Sequence, residues 1–386
     1  MSPSATFDNL PDSKSPDLIL IHPTPEERLA TWNLNFSSWG GALSREAYLE
    51  REQYMMTVSL TRDGGLTHWI LVDKNEEPKK RHILGTCESI RKRAFINKDG
   101  KVSEVITHCV GSVFCNPQYR GRKYASRMMV ELGEKLRTFQ TDTSVKGREK
   151  CEFTVLWSDV GPRFYADHGW HPFPSTHISF PSKPLGSTRA TKLYSKDLKE
   201  LCDFDVAMIT KELQSAKDGK THVALVPDHV QMSWHHDRED FICGHIFGKK
   251  PEVKGAIIGE KGHRVWAIWT RNYYGPLEAK SGNTLHILRL VIEDQDSTDK
   301  VSLAEQGQKV AAILEVAQAE AAKWETLHVE LWNPTVYLQD VVDATGLQHS
   351  KIEREAESIA SLMWYGEGSG KVDEIEWVGN EKYGWC

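Results

Sequence analysis

Val113-Phe114-Cys115-Asn116-Pro117-Gln118-Tyr119-Arg120-Gly121-Arg122-Lys123-Tyr124-Ala125-Ser126 joins an apolar strand run to the start of a helix. Ala125, Met128, Met129, Leu132 and Leu136 recur at helical spacing and predict an amphipathic helix over about 122–140. A helix start offers unpaired backbone N–H groups and the positive end of a dipole. Gly121 lets a ligand approach the backbone without meeting a Cβ. Arg120, Arg122 and Lys123 add three positive charges within four residues. Together these make a pyrophosphate cradle. The charges alone read equally as a solvated basic helix start.

Upstream, Leu18–Ile21 reads as a buried strand and Thr24-Pro25-Glu26-Glu27 as a capped helix start, with acids facing the positive dipole end. Ser44 opens a second helix that runs to about Met56. Strand patterns follow at Thr67–Asp73, then at Ile83–Ile96 and Val102–Cys115, an antiparallel pair joined at Lys98-Asp99-Gly100. Downstream come a strand at Glu152–Trp157 and a short helix, Arg163–His168, ending at Gly169. The run 182–190, rich in Pro, Ser and Gly, is the expected linker. The expected organisation is an arm over 1–17, a first domain over 18–181, and a second over 191–386. Strand signals at 221–226, 253–258, 263–270 and 284–292, a helix over about 302–324, a strand at Leu327–Trp332 and a helix ending near Gly346 build the second.

The second half echoes the first. Val155-Leu156-Trp157…Gly169 parallels Glu330-Leu331-Trp332…Gly346, which reads either as an internal duplication or as chance recurrence of α/β elements. At the matching strand-to-helix turn it carries Glu293-Asp294-Gln295-Asp296-Ser297-Thr298-Asp299, which is acidic, lacks Gly and repels phosphates.

The chain has 386 residues, enough for two domains, and is 39% hydrophobic and 26% charged, a globular balance. Lys+Arg total 48 against Asp+Glu 54, a formal charge of -6, which argues against nucleic acid or an anionic membrane as partner. Seven cysteines without a close pair argue against a disulfide framework or a Cys-based zinc site and for a reducing compartment. The N-terminus lacks the pattern of a signal peptide, so a cytoplasmic location is expected, with the mitochondrion left open. His235-His236-Asp237 with Glu239 resembles a metal set, but neighbouring histidines on a strand point to opposite faces, and no metal is expected.

Gln118-x-x-Gly121 after Val113-Phe114, with Phe164-Tyr165-x-x-x-Gly169-Trp170 downstream, resembles the two signatures of the GCN5-related N-acetyltransferases. The likeness covers about 18–181. One departure is Lys123, which stands where that family carries Gly or Ala. A narrower resemblance runs the whole length. Trp39-Gly40, Glu50-Arg51-Glu52, Tyr119–Met129, Ser233–Glu239 and Leu362-Met363-Trp364-Tyr365-Gly366 are similar to the fungal lysine acetyltransferases of lysine catabolism. The resemblance implies a mixed α/β acetyltransferase fold followed by a second, degenerate domain of the same kind that closes the acceptor site. It implies acetyl-CoA as co-substrate, no metal, and a small amine, L-lysine, as acceptor. Attack is then direct, in a ternary complex.

On that resemblance, Val113, Phe114, Cys115, Gln118, Arg120, Gly121, Arg122, Lys123, Tyr124 and Ala125 hold the coenzyme. Backbone N–H groups around Val113–Cys115 polarise the thioester carbonyl. His108, on the strand leading to the loop, is the expected base, with Glu104 and Ser158–Asp159 as alternatives. Tyr165 is the expected acid, or else a packed core ring. Trp39, Glu46, Glu50 and Glu52 are the expected acceptor contacts, although a solvated acidic helix face reads from the same glutamates. The rival readings are a polyamine or a protein acetyltransferase, and a coenzyme A sensor without turnover.

Overall fold

The computed structural model describes residues 10–98, 100–184, 186, 188–279, 282–295 and 302–385. Along the chain lie β1 (Leu18–Ile21), α1 (Pro25–Trp39), α2 (Arg45–Met55), β2 (Leu66–Asp73), β3 (Gly85–Lys98), β4 (Lys101–Cys115), α3 (Tyr124–Leu136), β5 (Cys151–Ser158), α4 (Arg163–Ala166), β6 (His171–Pro172) and β7 (Thr176–Pro181). There follow β8 (Thr191–Tyr194), α5 (Leu198–Ser215), β9 (Thr221–Leu225), α6 (His229–Phe247), β10 (Val253–Ile258), β11 (Val265–Tyr273), β12 (Asn283–Ile292), α7 (Leu303–Lys323), β13 (His328–Trp332) and α8 (Val336–Asp343). The chain closes with β14 (Ser350–Glu353), β15 (Ile359–Trp364) and β16 (Ile375–Trp377). The fold is mixed α/β, built on two mixed sheets.

The first sheet runs β1-β2-β3-β4-β5-β15-β6. β3 is long enough to pair with β2 from Gly85↔Leu71 to Ile90↔Leu66 and, past Arg93, with β9, which carries β16 on its other edge. The second runs β14-β7-β13-β12-β11-β10-β8. The two sheets exchange strands. β7, which precedes the expected linker, lies between β13 and β14 in the second sheet. β15, near the C-terminus, lies against β5 and β6 in the first. Gly169 is in the left-handed region, and a Cβ there would meet Met363 of the exchanged β15 at 2.6 Å.

Each sheet carries one crossover helix. The apolar stripe of α3 (Met128, Met129, Leu132, Leu136) packs on Leu71, Cys87, Val110 and Leu156. α7 packs Val310, Ile313, Leu314 and Ala317 on Trp269, Ile287, Val329 and Leu331. Between the sheets lies a joint core of Phe153, Val155, Trp157 and Leu362 with Trp266, Ile268, Leu288 and Val291, capped by Leu198 and Leu201 of α5. α1 opens with the expected cap: Thr24 accepts from the Glu27 N–H, Glu27 reaches back to Thr24, and Pro25 fills the first turn.

Of the expected arm, 1–9 lie outside the described residues. Residues 10–17 are tied to α3, where the Tyr124 hydroxyl donates to the Pro11 carbonyl at 2.6 Å and Arg127 donates to the Ser13 carbonyl. Of the acidic turn, 296–299 lie outside the described residues. The 122–140 helix starts later and ends sooner than its periodicity suggests, because Lys123 adopts φ +64° and the chain turns at Thr138.

His235 and His236 lie on helix α6, not on a strand. Periodicity misleads here because α6 is buried on most sides, with polar side chains satisfied one by one. His235 Nε2 pairs with the Tyr383 carbonyl at 2.9 Å and His236 Nε2 with the Trp269 carbonyl at 3.0 Å.

Candidate active site

The cradle begins where β4 ends. Asn116 caps a short turn over Pro117–Tyr119, its side chain accepting from the Gln118 N–H at 3.1 Å. Gly121 has φ +80°, and a Cβ there would meet nothing within 4 Å, so the space above it is open. Lys123 sits at the cap of α3 and makes no side-chain cap. The first N–H groups of α3 are therefore left for a ligand. Gln118, Arg120, Gly121, Arg122 and Lys123 are all exposed around this opening. Arg120 folds back, donating from Nε to the Cys115 carbonyl at 3.2 Å with its guanidinium over Phe114. Tyr124 is buried and anchors Pro11, so its ring belongs to the core. Ala125 is half-buried in the first turn of α3.

Beside the cradle the sheet opens. β4 and β5 run parallel from Ile106↔Cys151 to Val110↔Leu156 and then part. Just beyond, the β3–β4 register shifts between Glu88↔Gly111 and Thr86↔Phe114, and Ser112 takes φ +51°. A bulge of this kind re-aims backbone groups. The V exposes the edge of Gly111–Cys115 to any extended ligand chain that enters from the cradle. Val113 and Cys115 are half-buried there, and Phe114 is buried. Burial pushes the Cys115 thiol up, which disfavours a thiolate nucleophile.

The bulge faces a polar recess under α1, α2 and α6. Cys87 and Ser89 point toward α3, so Glu88 points the other way by strand alternation. Its carboxylate accepts from Ser112 Oγ at 2.8 Å and lies 3.2 Å from His68 Nε2. Burial opposes this charge, but His68 and Ser112 outweigh it and hold the Glu88 carboxyl below its ordinary range. Arg51 Nε donates to Glu52 at 2.9 Å, both Arg51 Nη groups reach the Trp39 carbonyl, and the guanidinium covers Tyr48. Trp39 meets Phe114 edge-on at 5.9 Å. Deeper in lie Arg238, Tyr274, Lys382 and Trp385. The Tyr274 hydroxyl lies 3.4 Å from Lys382 Nζ, and its ring meets Trp385 edge-on at 6.3 Å.

The structure brings Trp39 and Glu52 to this recess. It turns Glu46 and Glu50 outward: both are exposed, Glu46 beside the Ser44 cap and Glu50 at 3.3 Å from His245. His108 is fully buried on the opposite face of the sheet, toward α3. Its Nε2 pairs with the Phe139 carbonyl at 3.1 Å, and burial lowers it to about 4. Glu104 pairs with Arg93 on the outer part of β4. Asp159 is exposed just past β5 and accepts from the Ser358 N–H, while Ser158 donates to the Gly161 carbonyl. Tyr165 is buried beside Phe164 on the α3 side of the V, and burial and Asp159 push its hydroxyl up. Glu88, His68 and Arg238 escape a reading by local motifs. One signal was available: Glu88 is a carboxylate inside the otherwise apolar or small run Gly85–Ile90.

Another open cleft, about 1210 Å³, lies elsewhere, at the mouth of the second sheet near Leu290–Gln295 and Asn333–Val336. Its rim carries Glu293 and Asp294, so it does not suit phosphates.

A model of the family described as the LYC1 GNAT-like C-terminal domain matches residues 177–386. A lysine acetyltransferase of Yarrowia lipolytica is 25% identical over 94% of this chain and 98% of its own. An uncharacterised protein of Saccharomyces cerevisiae is 21% identical over 97% and 99%. Among solved structures, a probable N-acyltransferase of Enterococcus faecalis superposes with a TM-score of 0.51 at 11% identity, over 89% of this chain and 71% of that one, a likeness of fold.

Proposed function

The chain belongs to the LYC1 GNAT-like family and is an acetyltransferase of the GNAT type, and from that premise we propose that it moves acetyl from acetyl-CoA to the side-chain amine of free L-lysine, a step of lysine catabolism. The observation that carries the reading is the Glu88 carboxylate held at the Ser112 bulge, on the far side of the V from the Gly121 cradle. In this reading the pyrophosphate rests on the first turn of α3 with Arg120, Arg122 and Lys123 around it. Pantetheine runs along the edge of β4 toward the bulge. The lysine acceptor is favoured by the name of the Yarrowia relative.

An amine at neutral pH arrives protonated, and a carboxylate at the bulge takes that proton, directly or through one water. The neutral nitrogen then attacks the thioester carbon. Backbone N–H groups of the parted strand stabilise the developing oxyanion. The C–S bond breaks, the nitrogen gives up its remaining extra proton to solvent, and the coenzyme A thiolate takes a proton from solvent, directly or through Tyr165, which solvent re-protonates. Glu88 is the base in this scheme, in place of the deeply buried His108.

The test is thiol release from acetyl-CoA with L-lysine, D-lysine, ornithine, spermidine and a histone-tail peptide, with the product position read by mass spectrometry. The expected result is selective turnover of L-lysine at its side-chain nitrogen. Selective turnover of spermidine or the peptide would overturn the lysine assignment. Coenzyme binding without any turnover would favour a sensor.

A further inference from the structure

Most deeply buried cations of this protein are matched by carboxylates. Arg271 meets Glu239 at 2.7 Å and Glu320 at 2.9 Å, and Lys254 meets Glu239 at 2.6 Å. Arg289 takes Asp205 at 2.8 Å and also Glu381, and Arg81 takes Glu27 at 2.7 Å. This is the ordinary requirement, since a buried charge without a counter-charge is costly.

Two cations of the recess, the half-buried Arg238 and the buried Lys382, break that pattern. Arg238, on α6, spends one donor on Asn272 Oδ1 at 2.9 Å. Lys382 is 1% exposed, and its Nζ lies 3.4 Å from the Tyr274 hydroxyl. Among the described residues neither has a carboxylate within 4 Å. The ammonium of Lys382 is flanked by Trp385 at 3.9 Å and Trp332 at 4.1 Å, and Arg238 lies over the same Trp385 ring at 5.8 Å. The acids that act on Lys382 from a distance are engaged elsewhere. Glu330 accepts from the Trp332 indole and faces His286, and Asp159 holds Ser358. Lys92 and Arg354 also lack acids; backbone carbonyls take the Lys92 ammonium and the Nε and Nη1 donors of Arg354, which leaves Arg354 Nη2 unpartnered over the same Trp332 ring. Burial, with neighbouring cations and only partly offset by more distant acids, lowers Arg238 to about 10 and pulls Lys382 well below the ordinary lysine range. An arriving anion reverses both shifts.

We propose that Arg238 and Lys382 hold the α-carboxylate of the acceptor, so that the recess takes a basic amino acid rather than a diamine. The inference rests on the amine-acetylating reading above and deepens it. An acceptor with a carboxylate at one end and an amine at the other matches a recess with Arg238 and Lys382 deep inside and Glu88 at the bulge. Trp385, whose ring carries both Arg238 and Lys382, packs with Ile90 and Trp234, and Ile90 stands two residues from Glu88 on the same face of β3, which puts the two ends on one side of the sheet. Guanidinium and carboxylate match in a planar fork, which explains an arginine here.

The experiment compares L-lysine with cadaverine, the same diamine without the carboxylate, in the full chain and in Arg238→Gln, Arg238→Lys and Lys382→Gln. The unmodified chain is expected to prefer lysine. Arg238→Gln is expected to cut the lysine-to-cadaverine ratio of kcat/KM by on the order of 100-fold, chiefly through KM, and Arg238→Lys to restore part of it. Lys382→Gln is expected to act in the same direction. A ratio unchanged in every variant, or a loss confined to the KM of acetyl-CoA, overturns the proposal. Thermal melts identify a variant that has not folded, and the other variants then decide. If the unmodified chain acetylates neither acceptor, the activity reading has failed. Calorimetry with 6-aminohexanoate and cadaverine in the presence of coenzyme A then judges the pocket alone. Binding of 6-aminohexanoate that is lost in Arg238→Gln supports it, and equal behaviour of the two ligands overturns it.

Discussion

The molecule contains the same device twice and uses it in two ways. In the first sheet β4 and β5 run parallel to Val110↔Leu156 and part at a bulge, and β4 continues five residues to Cys115. In the second, β12 and β13 run parallel to Ile287↔Leu331, the β11–β12 register shifts at the next residue, and β12 continues five residues to Ile292. A crossover helix covers one face in each case. The other faces differ. Around the first bulge stand Glu88, His68 and Ser112, facing a recess. Around the second stand Ile268, Leu288 and Val291, packed into the core between the sheets. One V keeps its inner face polar and open to the recess, and the other packs that face into the core between the sheets. The comparison teaches that a parted strand pair is only a frame, and that the side chains on its inner face determine what it does.

The sharpest way to break the contrast is to remove the carboxylate that distinguishes the first bulge. Glu88→Gln keeps the shape and the Ser112 hydrogen bond while removing the charge. On the proposed mechanism kcat falls by on the order of 10²–10³. Affinity for acetyl-CoA stays close to that of the parent, because the cradle is untouched. Rapid-mixing kinetics with saturating acceptor measures the first quantity and equilibrium dialysis the second. Unchanged turnover would remove Glu88 from the chemistry.

Next in size is the cradle itself. Arg120→Glu with Arg122→Glu makes the first turn acidic, as Glu293-Asp294 makes the second. The double variant is expected to weaken the coenzyme by on the order of 100-fold at low salt, since each lost pairing with phosphate is charge-assisted. The loss should shrink as ionic strength rises, because both side chains are exposed. An acyl-donor KM that ignores the double reversal would place the pyrophosphate elsewhere.

These two sites differ in how far the sequence reveals them. The cradle is local: strand, turn, Gly121 and helix follow within fourteen residues, so spacing and residue type were enough to place this strand–turn–helix. The capping of α1 by Thr24 and Pro25 was legible for the same reason. The recess is not local. His68, Glu88, Ser112 and Arg238 meet because β2, β3 and β4 pair side by side and α6 lies over them. No window of sequence contains them together. The strand exchange was hidden likewise, since β7 and β15 look like strands of their own halves and differ only in partner. α6 lacked a readable stripe because its polar groups are buried and satisfied singly. His108 shows the converse case. A histidine on the strand before the loop invites a catalytic role, yet strand alternation turns it toward α3.

That placement of His108 has a consequence in acid. Burial lowers His108 to about 4, against about 6.5 for an exposed histidine. Between those values the unfolded chain binds a proton that the folded one refuses. Stability therefore rises with pH through the window and is lost as pH falls from 6.5 toward 4. One such group contributes about 1.4 kcal/mol per pH unit, or about 3 kcal/mol by pH 4. His236 in α6, lowered to about 3 by burial, adds to the same limb. His108→Gln should shallow the acid limb of denaturant-measured stability by about one proton. The acid limb of turnover should keep its midpoint. A turnover midpoint that moves with His108 would return it to the role of base.

The smallest expected effect lies at the two helix starts. α7 opens with a conventional cap, Ser302 accepting from the Glu305 N–H at 3.2 Å. α3 opens with Lys123 in the left-handed region and no side-chain cap. A cap is worth about 1 kcal/mol, and a left-handed lysine costs a further 1 kcal/mol or so. The first helix thus gives up local stability and leaves its N–H groups free, as the proposed cradle requires, whereas the second keeps its cap. Lys123→Gly relieves the backbone but frees the unfolded chain, so the net gain should be only about 0.5 kcal/mol. In a chain of this size that is a rise of about 1–2 °C in Tm, seen by differential scanning calorimetry without ligand. The same variant loses one positive charge at the cradle, so coenzyme affinity should fall a few-fold while Tm rises. A fall in both would mean that the Lys123 side chain, and not only its backbone, holds the turn in shape.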